Sequence, residues 1–216
     1  MNPLLKYCGN RSEDDLALTK KSKADYLGFV FVPGTKRFVR AEDVNKWLTK
    51  HPDTRQKVVA LFVNESIETI TSVCNTCPID IIQCHGTESS TTIAKIKQAT
   101  QKDVWKVIHH HEHGVLKMKE YEGIADGYII DTKVSGSWGG TGQTFDWESI
   151  PDYLNEGKRQ SVPVFIAGGV NAENIATLAR YQPDGIDLSS GLERDHKKSQ
   201  EVIREIERKL FRDDEL

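Results

Sequence analysis

The sequence has few of the features that mark membrane, secreted or nucleic-acid-binding proteins. No apolar run approaches the roughly 18 to 20 residues that a membrane span needs. The segment Met1 to Tyr7 has no charged start followed by a long apolar stretch, so we identify no secretory signal. The net charge of -3 differs from the strongly basic balance of nucleic-acid-binding proteins. These absences predict a cytoplasmic protein that binds neither membranes nor nucleic acids.

Cysteine is also scarce, with four in 216 residues. In a cytoplasmic chain of this size we expect free thiols at Cys8, Cys74, Cys77 and Cys84 rather than a disulfide framework. Cys74 and Cys77 have the C-x-x-C spacing of one half of a zinc site, but no second pair accompanies them, so we predict no metal. The length suffices for a hydrophobic core without disulfides or metals, and we expect residues 1–216 to form a single domain.

Short apolar, β-branched runs alternate with longer amphipathic segments along the whole chain. The eight runs are Leu4–Cys8, Tyr26–Phe31, Val58–Val63, Asp80–Cys84, Val104–Ile108, Gly127–Asp131, Val162–Ala167 and Gly185–Ser189. Helix-start signals follow them, such as Ser12–Asp15 before the first helix and Asn171–Asn174 before the seventh. The pattern predicts the α/β class and a single-domain (β/α)8 TIM barrel. An open doubly wound sheet is the alternative, but it would carry a glycine-rich dinucleotide turn after the first strand, which is absent.

The ends of the strands are the places to look for chemistry, because active sites of such barrels lie in the loops after the strands. Cys8 ends the first strand on the same face as Lys6, and it is either a base or nucleophile or an ordinary buried cysteine. Asp131 ends the sixth strand and is a general-acid candidate, or else a helix cap or ion-pair partner. His85 follows the fourth strand and can bind substrate, carry protons or orient a neighbour.

Two features of the loops predict an anion site. Arg37 follows the second strand, and its planar guanidinium suits a carboxylate or phosphate, although a solvated loop charge is the commoner case. Small residues follow the last two strands, where barrels recurrently bind phosphate through backbone amides. These residues are Gly168, Gly169, Ser189, Ser190 and Gly191.

Two further loops carry weaker signals. The tract His109–His113 follows the predicted fifth strand, and we interpret it as a solvated loop rather than a metal site. The segment Ser135–Gly142 is long and glycine-rich, so it can close over a ligand.

Taken in order, these motifs resemble one known family. They are Lys6-Tyr7-Cys8-Gly9, Gly28-Phe29-Val30-Phe31, Arg37-Phe38-Val39, Gln83-Cys84-His85-Gly86, Asp131-Thr132, Ala167-Gly168-Gly169 and Asp187-Leu188-Ser189-Ser190-Gly191-Leu192-Glu193. The chain is similar over nearly its whole length to the phosphoribosylanthranilate isomerases of tryptophan biosynthesis. Any one motif is weak, whereas the ordered set is specific.

The resemblance implies a cofactor-free aldose–ketose isomerase of aromatic amino-acid biosynthesis. It would convert N-(5-phosphoribosyl)anthranilate to 1-(o-carboxyphenylamino)-1-deoxyribulose 5-phosphate, an Amadori rearrangement and the third step from chorismate toward tryptophan. The resemblance implies that Cys8 is the general base and Asp131 the general acid, and that Arg37 binds the anthranilate carboxylate. It also implies that the glycine turns hold the phosphate. We expect His85 to bind substrate, Arg37 to lie across the mouth from the phosphate, and the protein to be a monomer or homodimer without metal.

Other functions are considered beside this one. The isomerase of histidine biosynthesis is expected to use two carboxylates, and indole-glycerol phosphate synthase to use lysines and glutamates at other strand ends. Cys8 argues against both. A non-catalytic barrel that binds a phosphorylated metabolite would keep the phosphate turns and lose the acid or the base.

Overall fold

The computed structural model describes residues 2–132 and 144–211, and it confirms the barrel. Eight parallel strands close in sequence order, with the first pairing to the eighth. The strands are β1 (Leu4–Tyr7), β2 (Tyr26–Val30), β3 (Lys57–Phe62), β4 (Ile81–Cys84), β5 (Asp103–His109), β6 (Gly127–Asp131), β7 (Val164–Ile166) and β8 (Gly185–Leu188).

Helices follow the strands around the outside of the barrel. They are α1 (Glu13–Thr19), α2 (Ala41–Lys50), α3 (Ile67–Thr76), α4 (Ser90–Thr100), α5 (Gly114–Lys119), α6 (Ile150–Gln160), α7 (Ile175–Ala179) and α8 (Gln200–Leu210). Serine N-caps fix the starts of several of them, because each hydroxyl accepts a hydrogen bond from a first-turn amide. Ser12, Ser66, Ser89 and Ser199 do so for α1, α3, α4 and α8. Within the described residues, no helix is long and apolar enough to cross a membrane.

Alternation along the strands separates two packed regions. Outward-facing side chains pack against the helices in one large apolar core. Inward-facing side chains fill the barrel, where Val59, Trp105, Ile129 and Phe165 form a second cluster. Above it, near the carboxyl ends of the strands, Cys8 packs with Val30 and Leu61. The period of two places Cys8 on the same face as Lys6, and the structure shows that this face is the barrel interior, with Cys8 at the floor of the mouth.

The cysteines are unpaired, as expected. Cys74 lies in the last turn of α3, and Cys77 is the C-cap residue of that helix. Burial raises the pKa of the Cys77 thiol to about 12, which leaves it a small apolar group in the core.

A short hairpin between β8 and α8 was not anticipated. Its strands are β9 (Glu193–Arg194) and β10 (Lys197–Lys198), joined by Asp195 and His196. Both linking residues have positive φ, 50° and 60°, as tight two-residue hairpins require. The hairpin lies at the β8 side of the barrel mouth, where Asp195 and His196 line the central cavity.

Candidate active site

One cavity of about 780 Å³ opens at the carboxyl ends of the strands. Its size suits a small phosphorylated ligand, since such pockets commonly measure about 300–1,000 Å³. It is lined by eight of the nine predicted site residues: Cys8, Arg37, His85, Asp131, Gly168, Gly169, Ser189 and Ser190. Gly191, the ninth, does not line the cavity. Because it has no side chain, its backbone can lie against the backbone of Val170. A Cβ built on it would lie 1.9 Å from the carbonyl oxygen of Val170.

Cys8 is held firmly at the cavity floor. Its backbone amide donates a 2.8 Å hydrogen bond to the carbonyl oxygen of Leu188, and the residue is only 4% exposed. Gly28 on the neighbouring strand leaves room for the sulfur. A Cβ at Gly28 would lie 2.8 Å from Cys8 Sγ and 3.1 Å from Lys6 Nζ. The thiol and the ammonium group therefore flank the same point inside the barrel.

Two buried lysines belong to this region, and the sequence analysis gave neither a firm role. Lys6 Nζ lies 3.0 and 3.1 Å from the two carboxylate oxygens of Asp187. Burial by itself would lower the pKa of Lys6, but Asp187 and then Cys8 outweigh it and raise that pKa above its usual value. Lys198, on the unpredicted hairpin, donates to the carbonyl oxygen of Ser189 at 3.0 Å and pairs with Glu193 at 3.3 Å. Burial lowers the pKa of Lys198 despite Glu193.

Arg37 is placed differently from the expectation. Its Nε and Nη2 donate to the two carboxylate oxygens of Glu193 at 2.9 and 3.0 Å. A Cβ at Gly9 would lie 2.4 Å from Arg37 Cδ and 3.1 Å from Ser189 Oγ, so the arginine stem runs beside the β8 turn. The prediction that Arg37 lies across the mouth from that turn is wrong. In the closed barrel only β1 separates β2 from β8, and the long side chain spans that gap.

Asp131 ends β6 and is 4% exposed. Its Oδ1 accepts a 2.8 Å hydrogen bond from the amide of Thr132. Its Oδ2 lies 3.2 Å from Nε2 of His85, an ion-pair distance, although the angles are not those of a hydrogen bond. The other ring nitrogen of His85, Nδ1, lies 3.2 Å from the side-chain amide nitrogen of Gln83. The predicted acid and the predicted substrate-binding histidine are thus direct neighbours.

The histidine tract corrects another prediction. His109 is the last residue of β5 and pairs in register with Asp131, so the solvated loop begins later than predicted. Its Nε2 donates to the carbonyl oxygen of His85 at 3.2 Å, and the two rings are 5.3 Å apart. Burial, and then His85, lower the pKa of His109. The next residue, His110, stacks on Phe145 instead.

The turn after β7 is built to approach Asp131 closely. Gly168 and Gly169 have φ of 80° and 66°, a conformation that favours glycine. A Cβ at Gly168 would lie 2.2 Å from Thr132 Oγ1 and 2.8 Å from Asp131 Oδ1. Any side chain there would displace the carboxylate. The glycine-rich loop predicted to close over a ligand, Ser135–Gly142, lies outside the described residues.

Comparison with known proteins decides the family. The sequence model for N-(5′-phosphoribosyl)anthranilate (PRA) isomerase matches residues 5–209. The chain belongs to the PRA isomerase family. It is 50% identical over 214 residues to the PRA isomerase of Halalkalibacterium halodurans, covering 99% of this chain and 98% of the relative. It is 49% identical to that of Geobacillus thermodenitrificans, with coverages of 95% and 92%.

Solved PRA isomerase structures share the architecture. The Thermotoga maritima enzyme superposes with a TM-score of 0.84 at 28% identity, covering 96% of this chain and 98% of the other. A second PRA isomerase structure holds reduced 1-(o-carboxyphenylamino)-1-deoxyribulose 5-phosphate. It superposes with a TM-score of 0.81 at 26% identity, with the same coverages. The chain is therefore an isomerase of tryptophan biosynthesis, which decides against the other phosphosugar barrels and the binding-only barrel.

Proposed function

We propose that this chain rearranges N-(5-phosphoribosyl)anthranilate to 1-(o-carboxyphenylamino)-1-deoxyribulose 5-phosphate, with Cys8 as general base and Asp131 as general acid. The observation that carries the proposal is their shared cavity: a thiol from β1 and a carboxyl from β6 line one space of about 780 Å³. Three strand-to-strand steps separate these strands around the ring. A ribose fits between two groups placed on different sides of such a mouth.

The chemistry needs one acid and one base and no other reactant. Asp131 gives a proton to the furanose oxygen, the C1′–O bond breaks, and the anthranilate nitrogen lone pair forms an iminium ion. Cys8, as thiolate, then takes the proton from C2′, and the C–H electrons neutralise the iminium to give an enolamine. Tautomerisation moves a proton from the C2′ hydroxyl to C1′ and leaves the ketone. Substrate and product are isomers, so atoms and electrons balance without a cofactor.

Buried positive charge supports Cys8 as the base. Lys6 is completely buried and flanks the same point beside Gly28 as the sulfur does. Its raised pKa keeps it an ammonium group at neutral pH. A fixed cation next to the sulfur gives the proposed base an electrostatic partner inside the barrel. Asp187 holds the lysine by both carboxylate oxygens and so orients it.

Substrate binding uses the rest of the cavity wall. Backbone amides of the turns containing Gly168, Gly169, Ser189 and Ser190 take the phosphate, supported by the close backbone approach that glycine allows. Arg37 lines the same cavity, and Glu193 holds its guanidinium in a bidentate pair. Held in this way, the guanidinium keeps three of its five N–H donors free of Glu193, and these can bind the anthranilate carboxylate. His85 contacts both Asp131 and the cavity, so it orients the acid beside the substrate. Together these contacts orient the ribose toward the acid and the base.

The test is a fluorescence assay. Phosphoribosylanthranilate, made in place from anthranilate and phosphoribosyl pyrophosphate, is followed as its fluorescence decays. We expect rapid decay with the wild type, and rates lower by two or more orders of magnitude, about 10² to 10⁴, in Cys8→Ser and Asp131→Asn. Both variants should still bind the reduced product analogue. A wild-type rate in either variant would remove that residue from the mechanism.

A further inference from the structure

Three neighbouring strands end in side chains that can ligate a metal ion. His85 follows β4, His109 ends β5 and Asp131 ends β6. His109 and Asp131 are register partners on parallel strands, and both have the inward-facing parity of Val107 and Ile129 below them. The barrel therefore brings two imidazoles and one carboxylate to the same edge of its mouth. His85 and Asp131 line the cavity, and His109 lies beside them against the backbone of His85.

The spacing of these groups suits a single divalent ion. Their ligating atoms all lie within 4.8 Å of one another. Zinc bonds to imidazole nitrogen and carboxylate oxygen are about 2.0–2.2 Å long. Two ligands of a tetrahedral zinc ion then lie roughly 3.3 Å apart. The distance from His85 Nε2 to Asp131 Oδ2 is 3.2 Å, so this pair already has that separation. A ring nitrogen of His109 lies within 4.8 Å of both atoms, so an approach of that ring completes the set.

A second observation points to a missing ligand at this place. Within residues 2–132 and 144–211, His85 Nε2 is buried and has no hydrogen-bond partner, and Gln83 Oε1 is in the same condition. The Gln83 amide lies against the other nitrogen of the His85 ring, at 3.2 Å. If the amide presents its oxygen instead of its nitrogen, that oxygen accepts a hydrogen bond from Nδ1–H, and Nε2 then carries a lone pair. Both buried atoms are then satisfied once an ion sits beside Nε2, with Gln83 as the outer partner that metal-binding histidines usually have.

We propose that His85, His109 and Asp131 bind one divalent transition-metal ion, with zinc as the expected occupant, and that the bound ion inhibits the isomerase. Imidazole and carboxylate together are ligands that zinc accepts, and the open cavity supplies a fourth position for water. A metal on Asp131 removes the group that donates to the furanose oxygen. Only the inhibition rests on the proposed role of Asp131, because the binding of metal needs the three side chains alone. The nearby cation Lys106 is paired with Glu88 at 3.0 Å, which offsets its repulsion of the ion.

The binding test uses metal-free protein and cobalt, whose visible absorption reports coordination without any turnover. We expect one Co²⁺ per chain with the bands of a four- or five-coordinate site, displaced by Zn²⁺. His109→Ala should weaken the affinity at least about tenfold. If the alanine variant does not fold, His109→Gln replaces it in the test and should show the same loss. Unchanged stoichiometry and affinity in both variants would overturn the site.

The matched control is the exposed end of the same histidine tract. In His111→Ala/His113→Ala the metal affinity and spectrum should stay as in the wild type. If this double variant loses the ion while His109→Ala keeps it, the metal is bound adventitiously on the surface and the proposal is wrong.

The inhibition test follows turnover against free Zn²⁺. Wild-type turnover should fall with the same midpoint as cobalt displacement and return on adding a chelator, and His109→Ala should need at least about tenfold more zinc. If cobalt binds but zinc does not inhibit turnover, the inhibitory part of the proposal is wrong, and Asp131 is not the general acid. No cobalt binding would overturn all of it and leave the isomerase mechanism standing.

Discussion

The most informative single substitution is Gly28→Ala, because it disturbs the position of Cys8 without removing any functional group. The new Cβ would lie 2.8 Å from Cys8 Sγ, 3.0 Å from Cys8 Cα and 3.1 Å from Lys6 Nζ. Real Cβ contacts are longer than this, so the sulfur or the strand must move. Overpacking of this kind costs about 1–3 kcal/mol of stability. A reacting group that shifts by about 1 Å can lose about 10² in rate. We therefore expect kcat to fall by about two orders of magnitude.

A matched control separates the loss of stability from the loss of catalysis. A Cβ at Gly127 would lie 2.8 Å from Trp105 Cδ1, also inside the barrel. Gly127 is at the other end of β6 from Asp131, roughly 13 Å away along the strand. Urea denaturation should show similar losses of unfolding free energy for Gly28→Ala and Gly127→Ala, while only the first loses turnover. Equal turnover losses in the two variants, or full activity in a destabilised Gly28→Ala, would refute the reasoning.

Three further predictions concern the charged groups. Asp187→Asn leaves the Lys6 ammonium buried without its carboxylate, and urea denaturation should show a loss of about 3–5 kcal/mol; a loss below about 1 kcal/mol would contradict this. Burial would raise the pKa of Glu88, but Lys106 lowers it below its usual 4.5, so its charge stabilises the fold at neutral pH and that contribution is lost as pH falls through the lowered pKa. Unfolding free energies of wild type and Glu88→Gln should therefore differ most at neutral pH and converge as the pH falls below 4.5, and a constant gap would contradict the assignment. Arg37→Ala should raise KM chiefly for substrates that carry the anthranilate carboxylate. An equal rise in KM for an analogue made from aniline, which lacks that carboxylate, would show that Arg37 does not bind it.

Periodicity made most of the barrel predictable from the sequence. Apolar runs of five or six residues, separated by capped helices, correspond closely to the observed strands, because parallel strands buried on both faces leave a continuous apolar signal. Alternation placed Cys8 on the same face as Lys6, but only the closed barrel shows that this face is the interior. Strand ends in a closed barrel converge on one mouth, so residues far apart in sequence, such as Cys8, Asp131 and Ser189, were correctly expected to share one cavity.

What the sequence could not supply depends on ring closure and on short elements. The Lys6–Asp187 pair joins residues 181 positions apart across the β1–β8 seam. The hairpin that carries Lys198 has strands of two residues, too short for any periodic signal. His109 looked like part of a polar loop because four of its next neighbours are polar or charged. Only its register with Asp131 shows that β5 extends to it and turns it inward.

The assignment of acid and base is tested most directly by an isotope effect. Phosphoribosylanthranilate deuterated at ribose C2′ is turned over by wild type, Cys8→Ser and Asp131→Asn, with enzyme in excess so that slow variants complete one turnover. If Cys8 removes the C2′ proton, that step limits Cys8→Ser, and its primary isotope effect should be larger than that of the wild type. If Asp131 protonates the ring oxygen, ring opening limits Asp131→Asn, and its isotope effect should fall toward one. The reverse pattern, a large effect in Asp131→Asn and none in Cys8→Ser, would contradict the mechanism.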